Sequence, residues 1–120
     1  MRVSRAISVL VASLVLIACV RAPDVSEDQY AGISTAAHVI LDGTDQGPVA
    51  PRDWPTEIAA LQPLEVIAKT DGLYIATSRM FVQEAGIFVP RAPNSFSERS
   101  GGDPAYRELA PGLFEYRIGG

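Results

Sequence analysis

The sequence predicts an α+β domain: a small antiparallel sheet of two hairpins and a C-terminal strand, with one short helix packed on it. Three observations lead there. Apolar residues recur at period two through 64–77 and again through 113–118, the alternation of a half-buried strand. Turn residues punctuate those stretches, Asp71-Gly72 in the first and Pro111-Gly112 before the last,. Between Asp53 and Gln62 the spacing changes, and Trp54, Ile58 and Leu61 fall four and three apart on one helical face,.

Taken in order, Arg21–Gln29 (RAPDVSEDQ) is acidic, polar and interrupted by Pro23, the composition of a solvated tether,. Ser26 and Gln29 have the spacing of a capping box, which would start a short helix through Tyr30 and Ile33 that Gly32 weakens,. Thr35–Leu41 (TAAHVIL) is expected as the first strand, stopped by Asp42-Gly43, and 43–51 as a Gly/Pro loop,. Asp53 is the expected N-cap of the helix, Pro55 is tolerated in its first turn, and Pro63 stops it,. Leu64–Lys69 and Leu73–Thr77 then form a hairpin across Asp71-Gly72, whose glycine accepts positive φ,. Met80–Gln83 and Ile87–Val89 form a second across Glu84-Ala85-Gly86,. Residues 90–104 are expected as a long loop. Leu113–Ile118 closes the sheet with Phe114, Tyr116 and Ile118 on one face,.

The N-terminus carries the strongest functional signal. Met1–Arg5 holds two arginines and no acid, and Ala6–Ala18 (AISVLVASLVLIA) is thirteen residues without a charge. That is the basic and apolar pair of regions of an export signal. The run ends at Arg21, Pro23 and Asp24, short of the roughly twenty apolar residues a membrane-spanning helix needs,. Of the ten basic residues, Arg2 and Arg5 belong to this region, so the remainder holds eight against fourteen acidic ones. Such a domain disfavours nucleic acid as a partner. Cys19 is the chain's single cysteine, so no intramolecular disulfide and no cysteine-based metal site can form,.

The stretch Leu16-Ile17-Ala18-Cys19 resembles the lipobox of bacterial lipoproteins. In that family a branched apolar residue stands three before the cysteine and a small residue directly before it. Ile17 departs from the more usual small residue. The resemblance covers about the first twenty residues. It implies diacylglyceryl transfer to the Cys19 sulfur and cleavage between Ala18 and Cys19. Val20, rather than aspartate, follows the cysteine, which by the same resemblance favours the periplasmic face of the outer membrane over the inner membrane. The expected organisation is a signal peptide over 1–18, a lipidated N-terminus and flexible tether over 19–30, and a small periplasmic domain over 31–120. Two or three acyl chains would anchor it durably, since each buried CH₂ contributes about 0.8 kcal/mol.

Few candidate sites lie beyond Cys19. The long loop carries Arg91, Asn94, Phe96 and Arg99, an aromatic anchor among adaptable polar groups that suits contact with an envelope protein,. His38 is the lone histidine, and Ser34, Ser95 and Ser97 lack a nucleophile-elbow glycine pattern,. A loop from Asp42 through Gly47 to Asp53 has partial calcium spacing, but its ligands are too neutral and prolines interrupt it,. Glu57, Glu65 and Glu84 show no spacing that pairs carboxylates,. No cofactor or metal is expected, and no enzyme activity. The expectation is a lipid-anchored binding or structural module; the alternatives are a small envelope hydrolase using His38, or an assembly factor for an envelope or secretion machine.

Overall fold

The computed structural model describes residues 20–119. Helix α1 (Glu27–Gly43) is followed by a two-residue strand β1 (Gly47–Pro48), a 3₁₀ turn (Pro51–Asp53) and a one-turn helix α2 (Thr56–Ala59). Strands β2 (Glu65–Ala68), β3 (Gly72–Met80), β4 (Gln83–Pro90), β5 (Ala105–Ala110) and β6 (Leu113–Ile118) complete the domain, with a second 3₁₀ turn at Pro93–Ser95. All pairs are antiparallel, and the sheet order is β1-β2-β3-β4-β6-β5. The chain therefore skips one position after β4, returns along the edge as β5, and fills the gap with β6. The α+β class and antiparallel sheet agree with the sequence reading.

The principal helix is not where the sequence placed it. Thr35–Leu41, expected as a strand, lies inside α1. Ile33, Ala36, Ala37, Ile40 and Leu41 are buried at spacings of three, one, three and one, the stripe of an amphipathic helix. Its start is the one the capping residues signal: the Ser26 N–H donates to Gln29 Oε1 at 3.0 Å,. Glu27–Tyr30, read as tether, is thus the helix's first turn. The expected helix over 53–62 shrinks to α2, because Asp53 belongs to a 3₁₀ turn and Pro55 takes the N-cap place. Ile58 is nonetheless fully buried against α1's core.

The sheet has two unlike faces. Val66, Ala68, Leu73, Ile75, Ile87, Val89 and Leu113 meet the helices. The opposite face is aromatic: Tyr74, Phe88, Tyr106, Phe114 and Tyr116, with Phe96 and Ile118 packed against them. Period two sorts the residues, as each strand alternates between the faces. Ring centroids there lie 4.6–6.4 Å apart in tilted and edge-on pairs, the geometry aromatic quadrupoles favour.

One expected turn keeps its place with an altered glycine conformation, and another is strand interior. The Asp71-Gly72 hairpin forms, with Ala68 opposite Leu73, but Gly72 is extended rather than left-handed. It is glycine because a Cβ would overlap the Val89 carbonyl oxygen and meet Phe88 Cε1 at 2.7 Å. Glu84-Ala85-Gly86, expected as a turn, sits within β4. A Cβ on Gly86 would overlap the Ile75 carbonyl oxygen and approach Tyr116 Cε1 to 2.9 Å, so this glycine marks close strand approach. The real turn is Phe81-Val82, between paired Met80 and Gln83. β5, unforeseen in sequence, reaches β6 through Pro111-Gly112, where Gly112 takes φ +78°, as a type II turn requires.

Candidate functional site

Two regions bear on function: the point where the chain enters the domain, and the face covered by the loop after β4. Cys19, Ala18 and the proposed signal segment lie outside the described residues. Directly after them Val20 is buried, and the Arg21 N–H donates to Ser78 Oγ at 3.2 Å. A one-residue bulge makes that bond possible. β3 and β4 pair in register to Ala76–Gly86, then resume at Ser78–Ala85 with Thr77 extra. Without the bulge Ser78 would share the aromatic face with Tyr74 and Ala76; with it, Ser78 faces the helix side, where the entering chain lies. Thr77 Oγ1 closes the bulge by donating to the Ala85 carbonyl at 3.3 Å. Arg21, Pro23, Gln29, Leu61 and Ser78 together line one shallow cleft. The entering segment therefore runs along the domain instead of hanging from it.

The loop residues named from sequence are divided by the structure. Arg91 turns inward. Its Nε donates to the Lys69 carbonyl at 3.0 Å, Nη1 to the Leu41 carbonyl at 3.1 Å, and Nη2 to the Thr44 carbonyl at 3.1 Å and to that of Asp45. α1 has no basic residue in its own last turn, and Arg91 supplies one from the sheet, meeting the negative end of the helix dipole. Phe96 also turns inward, with its ring 4.8 Å from those of Phe88 and Tyr106 and 4.9 Å from that of Phe114. Arg99 stays exposed, its guanidinium 5.5 Å from the Tyr106 ring centroid,. Its backbone bridges Tyr106 through paired hydrogen bonds of 2.9 and 2.7 Å. Asn94 is exposed in the 3₁₀ turn. The structure thus gathers Phe96 and Arg99 around Tyr106, while Arg91 and Asn94 stand elsewhere.

Two hydroxyl networks border the aromatic face. The Tyr74 hydroxyl lies 2.7 Å from Asp71 Oδ2 and 2.7 Å from the Tyr106 hydroxyl. Its one proton goes to the carboxylate, so Tyr106 donates to Tyr74. Tyr116 donates to Glu84 Oε2 at 2.5 Å. Glu84 also pairs with Arg79 at 2.8 Å, and Arg79 reaches Glu65 at 2.9 Å. Burial, then these bonds, push both the Tyr74 and Tyr116 hydroxyls far above the ordinary tyrosine range,. Hydrogen bonds to Glu84 and Glu65 raise the Arg79 guanidinium further still. These tyrosines stay protonated and act as hydrogen-bond donors rather than bases. A cleft of about 310 Å³ opens beside them, lined by Glu98, Tyr106, Arg107, Glu115 and Tyr116 among others.

The remaining candidates are scattered. His38 is half-buried on α1. Glu65 and Glu84 meet through Arg79, whereas Glu57 lies on α2. Among the described residues no group of three or more His, Cys, Asp or Glu could hold a metal, and no helix is long and apolar enough to cross a membrane. Sequence reasoning missed Ser78, Arg79 and Tyr74; their pairing depends on the β3 bulge and on strand register, which leave no local signature. Compared with known proteins, the chain matches no family model, no curated protein and no solved structure.

Proposed function

We propose that this chain is a bacterial lipoprotein precursor, cleaved before Cys19 and anchored by acyl chains on that residue. Its domain acts as a binding or structural module of the envelope, not as an enzyme, and is sorted to the periplasmic face of the outer membrane. The observation that carries the reading is Leu16-Ile17-Ala18-Cys19 closing an uncharged thirteen-residue run behind two arginines. The fold supports it through Arg21, two residues on, which is bonded to Ser78. An anchor at Cys19 would therefore hold the domain close to the lipid surface. The interior also fits a scaffold: its buried tyrosines are tied in donor networks. Partner contact falls to the exposed rim of the 91–103 loop, where Asn94 and Arg99 face solvent.

Labelling growing cells with an alkyne fatty acid tests the reading. Label is expected on the parent chain in the outer-membrane fraction and is lost in Cys19→Ser. An unlabelled parent, or label that persists in Cys19→Ser, would overturn it.

A further inference from the structure

The β3–β4 turn is apolar, uncharged and fully presented to solvent. Phe81 is 96% exposed and Val82 72% exposed, and Met80 and Gln83 beside them carry no charge. Phe81 also takes φ +57°, a left-handed conformation that suits glycine and strains an aromatic residue. Glycine or asparagine meets a two-residue turn's need for positive φ without that strain, so the turn itself does not call for a large side chain here. The charges nearest in sequence, Arg79 and Glu84, pair with each other at 2.8 Å. The tip can therefore leave water without stranding an unpaired ion.

The occupant is set by where the chain comes from. Phe81 lies three residues beyond Ser78, about 10 Å along an extended strand. Ser78 holds the backbone of Arg21, and two residues span at most about 7 Å, which bounds how far Cys19 can lie from Arg21. Cys19, the first residue of the cleaved chain, is thus tethered to the same strand that leads into the turn. The depth to which interfacial elements sink into the headgroup region, about 5–10 Å, is on the scale of this reach.

We propose that Phe81 and Val82 form a membrane-inserting tip that sinks into the lipid interface beside the anchor and fixes the domain's orientation. The inference rests on the proposed membrane anchor at Cys19. Anchor and tip make a two-point attachment, and one acyl-bearing residue alone would leave the domain free to swing.

The test uses the full chain purified from the membrane fraction and reconstituted into phosphatidylcholine vesicles. Phe81→Trp, and separately Val82→Trp, report the environment of the tip once the parent's Trp54 emission is subtracted. The expected result is blue-shifted emission that loses most of its intensity with lipids brominated near the headgroup and resists aqueous acrylamide. Emission quenched by acrylamide and not by brominated lipid would overturn the proposal. Emission shielded from both quenchers would also overturn it, in favour of a protein covering the tip. Mass spectrometry of the same sample separates the two claims. An acylated Cys19 with a wet tip sinks insertion alone, and an unacylated chain with a lipid-quenched tip sinks the acyl anchor alone.

Discussion

Replacing Arg91 by alanine removes the clamp between the sheet and the C-terminal end of α1. The side chain makes four bonds to carbonyls of 41, 44, 45 and 69. Those to Leu41 and Thr44 are partly buried; the other two are exposed and contribute little. A hydrogen bond from a charged donor is worth about 1.5–3 kcal/mol when desolvated and about 1 when partly wet, so the two inner bonds together supply roughly 2–3 kcal/mol. The positive charge near the helix's last carbonyls adds about 0.3–1 kcal/mol. The expected loss is about 3 kcal/mol, a large share of the 5–15 kcal/mol typical of a whole domain. For a domain of this size that lowers Tm by roughly 12–24 °C, and with an m-value near 2 kcal/mol/M it moves the urea midpoint by about 1.5 M. Urea titrations followed by circular dichroism measure it directly. Arg91→Lys keeps the charge but loses the planar fork, and should recover less than half of the loss. An alanine variant within 0.5 kcal/mol of the parent would refute the clamp and return Arg91 to the solvent-facing role its sequence suggested.

Other consequences are equally direct. Gly86→Ala forces a Cβ onto the Ile75 carbonyl and should abolish cooperative unfolding, whereas Gly119→Ala, with open space around it, should change nothing measurable. Phe81→Gly relieves the left-handed backbone and should raise stability by about 1 kcal/mol in detergent while removing an apolar contact from the proposed tip; a loss of stability would mean the ring supports the fold. Tyr74 and Tyr116 ionise far more readily unfolded, at about 10, than folded. Their contribution is complete below pH 10 and is lost as pH rises past it, by about 1.4 kcal/mol per unit for each tyrosine. Stability from pH 9 to 11.5 should therefore fall steeply in the parent and less so in Tyr74→Phe/Tyr116→Phe; parallel slopes would contradict the assignment.

The strands were the more legible half of the fold. Leu113–Ile118 alternates because one face meets Phe88 and Phe96 and the other does not, and the Asp71-Gly72 hairpin stands near its expected place. α1 was misread because Thr35–Leu41, taken alone, is a short apolar run that fits either a strand or a buried helix. Only the longer stripe from Ile33 to Leu41, started by the Ser26–Gln29 cap, resolves it. Gly86 misled for a different reason. Glycine signals a turn and a close backbone approach with the same letter, and the true turn was built from Phe81 and Val82, which carry no turn signature. β5 was hidden by exposed Arg107 and Glu108. Of the loop residues, Phe96 was expected as an anchor for a partner, but it packs on the chain's own aromatic face. Arg91 caps a helix some fifty residues away, a relation that no local spacing encodes.

The central claim is the anchor, and intact mass analysis of the N-terminal peptide from the membrane fraction tests it most directly, beside a Cys19→Ala control. The account predicts a mature chain that begins at Cys19 and carries diacylglyceryl mass, with neither cleavage nor lipid in the control. A chain beginning elsewhere, or a Cys19 with a bare sulfur, would contradict it.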